Sequence, residues 1–281
     1  MPIKVFQDVA SFRNWREGVN GAVSFVPTMG ALHQGHVSLC HRGRELAPTV
    51  VASIYVNPLQ FGPQEDFANY PRTFAEDVKQ LDRAGVAAVL APKELGEAHA
   101  EVKVVAGSLA RELCGAKRPG HFDGVLTVLT KLFNIIKPSV AVFGEKDYQQ
   151  CAVVAQWCRD TYQSCTLDIH TIVRESTGLA MSSRNRRLSP SGLKTASALY
   201  QSLQETRRDF LAGETEIPAL EACARRALEG LDIEYCEIRD PVNLSRVALA
   251  GPTERLFMAA RVEGVRLIDN GALGNLTPVL G

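Results

Sequence analysis

The feature that most narrows the fold is an alternation. From residue 22 to residue 173, short and mostly apolar runs take turns with segments of helical periodicity. Residues 22–27, 49–56, 86–91, 139–143 and 166–173 read as strands, rich in valine, isoleucine, alanine and phenylalanine. Residues 36–47, 73–84, 125–137 and 147–160 read as helices, with Gly85 and Pro138 as stops. Strands that are apolar along most of their length are covered on both faces. The pattern therefore predicts an α/β fold: a parallel sheet between two helical layers.

In such a Rossmann-like sheet the ligand lies beyond the carboxyl ends of the strands. Those ends place the loops 27–36, 57–72, 144–150 and 174–187 together. After about residue 187 the pattern changes. Residues 189–211 read as one long helix and 217–229 as another, followed by strands at 233–239, 255–262 and 265–269. This predicts a Rossmann-like domain over residues 1–175 and a smaller C-terminal α+β domain over 176–281.

Composition excludes some classes of function. The chain has 281 residues, 46% of them hydrophobic, which suffices for a substantial core. Lysine plus arginine and aspartate plus glutamate both come to 31, so a dedicated nucleic-acid or membrane-surface binder is not expected. No apolar signal core follows Met1-Pro2-Ile3-Lys4, and the apolar runs fall far short of the ~20 residues that span a bilayer. The seven cysteines form no disulfide or zinc pattern. They read as reduced thiols in a cytoplasmic setting.

The first chemical motif follows the first strand: Pro27-Thr28-Met29-Gly30-Ala31-Leu32-His33-Gln34-Gly35-His36. A helix start carries unpaired N–H groups and partial positive charge, which suits phosphate. His33 and His36 lie three apart and are able to donate to a phosphate whose charge grows in the transition state. Taken alone, the pair also reads as two surface histidines, or as metal ligands that lack a third. In its strand–turn–helix setting, His-x-Gly-His resembles the signature of the nucleotidylyl-transferring α/β superfamily.

Further motifs narrow this. Asn57-Pro58-Leu59-Gln60-Phe61-Gly62 follows the second strand and runs through Asp66 to Tyr70-Pro71-Arg72-Thr73. Arg118-Pro119-Gly120-His121-Phe122-Asp123-Gly124 precedes the apolar helix, and Gly144-Glu145-Lys146-Asp147-Tyr148-Gln149-Gln150 follows the strand at 139–143. Arg174 opens a run containing Gly178-Leu179-Ala180-Met181-Ser182-Ser183-Arg184-Asn185, and Arg266-Leu267-Ile268-Asp269-Asn270 lies near the end. In this order and spacing the motifs resemble those of the pantothenate synthetases, along essentially the whole chain.

The resemblance implies an ATP-dependent ligase that adenylates pantoate and transfers the pantoyl group to β-alanine. It implies that Met29, Gly30, Ala31, Leu32, His33, Gln34, Gly35 and His36 bind ATP. Gly144, Glu145, Lys146, Asp147, Val173, Met181, Ser182, Ser183 and Arg184 would bind it as well. The catalytic set it implies is His36, His33, Lys146 and Arg184. Gln60 is expected to face pantoate and β-alanine, Gln150 to face pantoate, and Asn57 to assist them. Arg118 is expected in a flap over the triphosphate. Asp77 is the candidate magnesium ligand, although a carboxylate there also suits a helix start. A homodimer and a C-terminal lid complete the implied picture. The alternative is another nucleotidylyltransferase of the same superfamily, which would lack the Gln60 and Gln150 motifs.

Two positions depart from the family pattern. Arg186-Arg187 replaces a usual tyrosine-ending pair, which puts local packing or phosphate affinity in question. Gln34 stands where glutamate is frequent, and is expected to point to solvent.

Overall fold

The structure is a computed structural model that describes residues 2–62, 67–96 and 101–274. Asp66 lies outside the described residues. Among them, one sheet is built from β1 (Lys4–Phe6), β2 (Val23–Thr28), β3 (Thr49–Ile54), β4 (Ala88–Leu90), β5 (Val140–Gly144) and β6 (Thr166–His170). Its order is β1-β4-β3-β2-β5-β6 and every pairing is parallel. All five expected strands are present. The last is shorter than expected and ends at His170.

Side-chain alternation explains the two layers. Val23, Phe25 and Val51 share a buried cluster with residues of α1 (Val9–Glu17), α5 (His121–Ile136) and α6 (Tyr148–Asp160). Val26, Val50 and Ala52 instead pack with Leu39 and Cys40 of α2 (Gln34–Leu46) and Leu81 of α3 (Phe74–Arg83). Neighbouring residues on a strand point to opposite faces, so each strand serves both layers.

Two elements, β1 and α1, lie outside the sequence reading. β1 is three residues long, too short to show a period. α1 is mainly polar, and Phe12 is its one fully buried residue. A cap signal does mark its start: Asp8 accepts the Ser11 N–H at 2.8 Å. After the short helix α4 (Leu113–Lys117), α5 begins at His121, four residues earlier than expected, so the end of the Arg118–Gly124 motif is helical.

The chain order reverses between β2 and β5. From β2 it steps outward to β3 and β4; after the crossover it returns to β5 and steps the other way to β6. A crevice opens at such a point because the loops after the two strands diverge. Residues 29–33 and 145–147 lie on its two sides.

The remaining residues form a smaller unit. The expected helix over 189–211 is two helices, α7 (Pro190–Ala196) and α8 (Ala198–Leu211). They meet at buried Ser197, whose Oγ donates to the Lys194 carbonyl at 2.6 Å. Serine competes with the helical backbone in this way. After α9 (Ile217–Ala227), strands β7 (Asp232–Arg239), β8 (Arg255–Val262) and β9 (Val265–Ala272) form an antiparallel sheet. Glu263 and Gly264 close the β8–β9 hairpin, both with positive φ, at 50° and 76°.

This small sheet is buried on both faces. Leu256, Met258 and Ala260 pack with Leu199, Leu203 and Leu220 of α8 and α9. The alternate residues Phe257 and Ala259 join the core of the larger unit, where the Phe257 ring meets Tyr148 edge-on at 5.8 Å. The two units therefore share apolar packing.

One helix position decides where the loop after β3 sits. The Asn57 Nδ2 donates to the Gly124 carbonyl at 3.1 Å. A methyl carbon on Gly124 would lie 2.2 Å from the Leu59 carbonyl oxygen. The turn Pro58–Gln60 rests on α5 only because residue 124 has no side chain. Gly124→Ala is expected to destabilise the protein by about 1–3 kcal/mol through overpacking. Urea unfolding followed by circular dichroism checks this; an unchanged midpoint would contradict the contact.

Candidate active site

The turn after β2 is bent through left-handed backbone at Gly30 (φ 80°) and Ala31 (φ 50°). A single carboxylate holds it there. Asp77 on α3 accepts the Ala31 N–H at 2.9 Å and the Leu32 N–H at 2.8 Å. Thr73 Oγ1 adds a third hydrogen bond at 3.0 Å. Asp77 is only 1% exposed. A buried carboxylate demands such donors, and buried amides demand such an acceptor.

This corrects the expectation for Asp77. Both oxygens are committed to the protein, and the residue does not face the cavity described below. Position 77 faces inward because α3 packs beneath the turn. Among the described residues, no group of three or more His, Cys, Asp or Glu side chains is placed to hold a metal ion. Ala31 and Leu32, expected in the ATP-binding segment, have fully buried side chains and amides bound to Asp77, and they shape the turn. Gln34 is exposed, as expected, and lines neither of the two cavities described below.

His33 caps helix α2, with its Nδ1 accepting the Gly35 N–H at 3.1 Å. His36 answers, its Nδ1 accepting the His33 N–H at 3.3 Å. An acceptor nitrogen carries no proton, so in each neutral ring the proton sits on Nε2. The rings lie 4.1 Å apart between centroids. Burial is the main cause that pushes the His33 pKa down to about 2, with His36, Lys146 and Arg186 adding to it. Burial likewise lowers His36, to about 4, although Asp147 and Asp77 oppose the shift. Both imidazoles are therefore neutral donors at neutral pH.

These rings line a cavity of about 240 Å³. Met29 and Gly35 join them from the opening turn, and Gly144, Lys146 and Asp147 come from the end of β5. Val173, Met181, Ser182, Ser183 and Arg184 close another side. Asn57, Gln60, Gln150 and Arg118 also face this space. Its inner wall is apolar, with Val125, Leu129 and Val142. Lys146, Arg184, Gln60 and Gln150 also line an adjoining cleft of about 980 Å³ between the two units.

The polar side chains are held in place. Asn57 is 2% exposed, and its amide donates to Gln60 Oε1 at 3.1 Å while Gln60 Nε2 reaches Met29 Sδ at 3.2 Å. Gln149 shows by contrast what a structural glutamine does. It binds the Cys114 amide and the Leu109 and Glu112 carbonyls. Ser182 Oγ accepts the Arg184 N–H at 3.2 Å, which caps the turn Ser183–Arg187. Ser183 Oγ lies 3.4 Å from Tyr70 Oη.

Comparison with known proteins settles the family. The family model described as pantoate-beta-alanine ligase matches residues 4–272. The chain belongs to the pantoate–β-alanine ligase family.

Pantothenate synthetase from Acidithiobacillus ferrooxidans is 41% identical over 95% of this chain and 98% of its own. Pantothenate synthetase 1 from Bradyrhizobium diazoefficiens is 45% identical over 96% and 98%. The crystal structure of pantothenate synthetase from Thermus thermophilus superposes with a TM-score of 0.91 at 39% identity, covering 97% of this chain and all of that one. A Francisella tularensis pantoate–β-alanine ligase, solved with β-γ ATP and β-alanine, gives 0.82 at 29% identity over 96% and 98%. The chain is thus an ATP-dependent enzyme that joins pantoate to β-alanine.

Within this family member, the structure brings most of the expected residues to one cavity. Besides Asp77, Ala31, Leu32 and Gln34, two others stand apart. Gly30 lies behind the turn, against Asp77 and Ile54. Glu145 is paired with Arg255 at 2.7 Å and faces away from the cavity. Three residues were not singled out for the site. Arg186 donates to the Leu32 carbonyl at 2.9 Å and joins the late segment to the opening turn. His121 Nδ1 lies 2.8 Å from the Gln60 carbonyl, and Arg118 lies 3.0 Å from His121 Nε2. Tyr70 stands beneath Arg184, whose guanidinium is 6.0 Å from the ring. The arginine pair at 186–187 was the visible signal, and Arg186 fills its place with a bridge across the site.

The histidine shifts have a consequence for stability. Both rings take up a proton near 6.5 when unfolded but only near 2 and 4 when folded. Between about pH 6.5 and about pH 4 the unfolded chain binds more protons, so stability falls as pH falls through that window. His36→Asn, which keeps an acceptor near the Nδ1 position, is expected to flatten this slope. Thermal unfolding across the window measures it; equal slopes in both proteins would refute the shift.

Asp77→Asn replaces one acceptor oxygen by a donor facing buried amides or a hydroxyl. We expect a loss of about 1–3 kcal/mol in unfolding free energy. Magnesium without nucleotide should leave the unfolding midpoint of the parent unchanged. Stabilisation by the bare ion that vanished in the variant would restore Asp77 as a ligand.

Proposed function

We propose that this enzyme works through pantoyl adenylate. The observation that carries the reading is one cavity shared by His33, His36, Lys146, Arg184, Gln60 and Gln150. Cationic donors, neutral donors and uncharged amides all line it.

Pantoate enters as a carboxylate, already ionised near neutral pH because its pKa lies near 3.5, roughly. No general base is required. The carboxylate oxygen forms a bond to the α-phosphorus of ATP as the bond to the bridging oxygen of pyrophosphate breaks. Negative charge moves onto the departing diphosphate and the equatorial oxygens. Lys146 and Arg184 neutralise it, and the Nε2–H groups of His33 and His36 donate to it. A neutral donor already aimed at the phosphate needs no proton transfer. The β-alanine amine then bonds to the acyl carbon, the carbon–oxygen bond to AMP breaks, and the amine loses a proton.

Gln60 and Gln150 suit pantoate for the reason that charge would not. An amide binds hydroxyl and carboxylate oxygens without quenching the nucleophile as a full cation would. The apolar wall of Val125, Leu129 and Val142 matches the dimethyl carbon of pantoate. The β-γ ATP and β-alanine in the Francisella relative support the same pair of co-substrates here.

Magnesium belongs to this reading as a partner of the triphosphate, held by phosphate oxygens and water. Asp77, with both oxygens bonded to protein donors, does not fit it. The smaller unit, packed over the cleft, serves as a lid that excludes water from the hydrolysable adenylate. A homodimer in the cytoplasm completes the proposal. Family resemblance supports the dimer. Seven free, buried cysteines support a reducing compartment, and among the described residues no helix is long and apolar enough to cross a membrane.

Exchange of labelled pyrophosphate into ATP tests the adenylate. Exchange should require pantoate and proceed without β-alanine. Its absence in enzyme competent for the full reaction would exclude a reversible pantoyl adenylate step.

A further inference from the structure

The segment that carries Lys146 has no capping side chain of its own. The short turn Glu145–Asp147 lacks one, and so does the start of α6 that follows. Yet a cation that must meet a transferring phosphate has to be held to within a fraction of an ångström. The grip comes from the other unit. Asn270 on β9 donates its Nδ2 to the Lys146 carbonyl at 2.8 Å and to the Glu145 carbonyl at 3.1 Å. Its Oδ1 accepts from Arg255 Nη1. Arg255 on β8 binds Glu145 Oε1 through Nη2 at 2.7 Å, and its guanidinium lies over the Tyr148 ring at 4.1 Å.

The chemistry of these partners dictates the amide. A guanidinium only donates, and a carbonyl only accepts. The residue between them must show an oxygen to one and an N–H to the other. Asparagine does so; aspartate and leucine, both similar in size, do not. Asn270 and Arg255 are 2% and 1% exposed, so water is not a substitute for either contact. Asn270 is itself tied down, its N–H donating to Asp269 Oδ1 at 2.8 Å. Asp269 in turn binds Arg174 at 2.7 Å, just ahead of the segment that carries Ser182 and Arg184.

We propose that Asn270 is a positioning residue for adenylation: its amide, oriented by Arg255, fixes the peptide of Lys146 and so places the ammonium on the phosphate. The smaller unit then does more than cover the site; it sets the geometry of a cation belonging to the larger one. The inference rests on the phosphate role given to Lys146 above.

The test is a double-mutant cycle in the full-length enzyme, read by pantoate-dependent pyrophosphate–ATP exchange. Asn270→Asp keeps the acceptor for Arg255 and removes the two donations. It should lower kcat by about ten- to hundredfold, the cost of a misplaced group, with KM for pantoate unchanged. In a Lys146→Ala background the same substitution should cost nothing further. Losses that multiply, or an Asn270→Asp enzyme as fast as its parent, would overturn the proposal. Thermal unfolding of each variant separates a folding defect. Should Asn270→Asp fail to fold, Arg255→Lys, which keeps charge beside Glu145 but loses the fork, replaces it in the same cycle with the same criteria. If Lys146→Ala alone leaves exchange intact, the phosphate role of Lys146 falls first, and the inference with it.

Discussion

Two amides, those of Ala31 and Leu32, point into space that water does not reach, and one buried carboxylate accepts both. Much of the site follows from that pairing. It holds the chain in left-handed backbone at residues 30 and 31, which carries a cost for alanine that only the surrounding bonds offset. Leaving the amides unsatisfied would cost more. The turn therefore has one low-energy path, and it delivers His33 to the N-cap of helix α2. From there the reciprocal cap follows: each imidazole spends Nδ1 on a backbone N–H and keeps Nε2–H for the cavity.

Such an arrangement also explains why neutral histidines sit among cations. Lys146 and Arg186 both disfavour a charged imidazole nearby, and burial disfavours it more. A protonated pair would bind the triphosphate tightly in the ground state. In the proposed mechanism, a neutral pair that donates hydrogen bonds responds chiefly to charge that grows during transfer, and the full cations there are Lys146 and Arg184. Differential binding of that kind is what accelerates a step.

The sheet was legible because its information is local. Runs such as 49–56 and 139–143 are apolar enough to need cover on both faces, and the helices between them carry their own period. β1 and α1 were not, since three residues show no period and a nine-residue, mainly polar helix offers few turns in which a period can be read. The break at Ser197 depends on a side-chain bond that no hydrophobic pattern reports. The site divides in the same way. His33, His36, Lys146 and Arg184 lie at strand ends or in motifs, and the fold had to gather them. Asp77 was misjudged because a carboxylate in a first helical turn reads alike whether it faces a cation or a buried backbone. Only the tertiary position of α3 decides between the two. The Arg186 bridge and the amide of Asn270 join residues more than a hundred positions apart, beyond the reach of spacing.

Those long-range bonds bear on how the two units act together. The apolar part of their contact, Tyr148 against Phe257, would tolerate small slides, since apolar packing has little direction. The polar part would not. Arg255 and Asn270 are buried and Glu145 is partly so, and taking an ion pair out of water gives little net stability because desolvation nearly cancels attraction. An apolar trio of similar volume would hold the units together as well or better. What it would lack is direction: a guanidinium, a carboxylate and an amide meet in one register only. A contact that adds little to stability thus gives direction to the backbone that carries Lys146. Motion of the smaller unit over the cleft must either carry the Glu145–Asp147 turn with it or break those bonds.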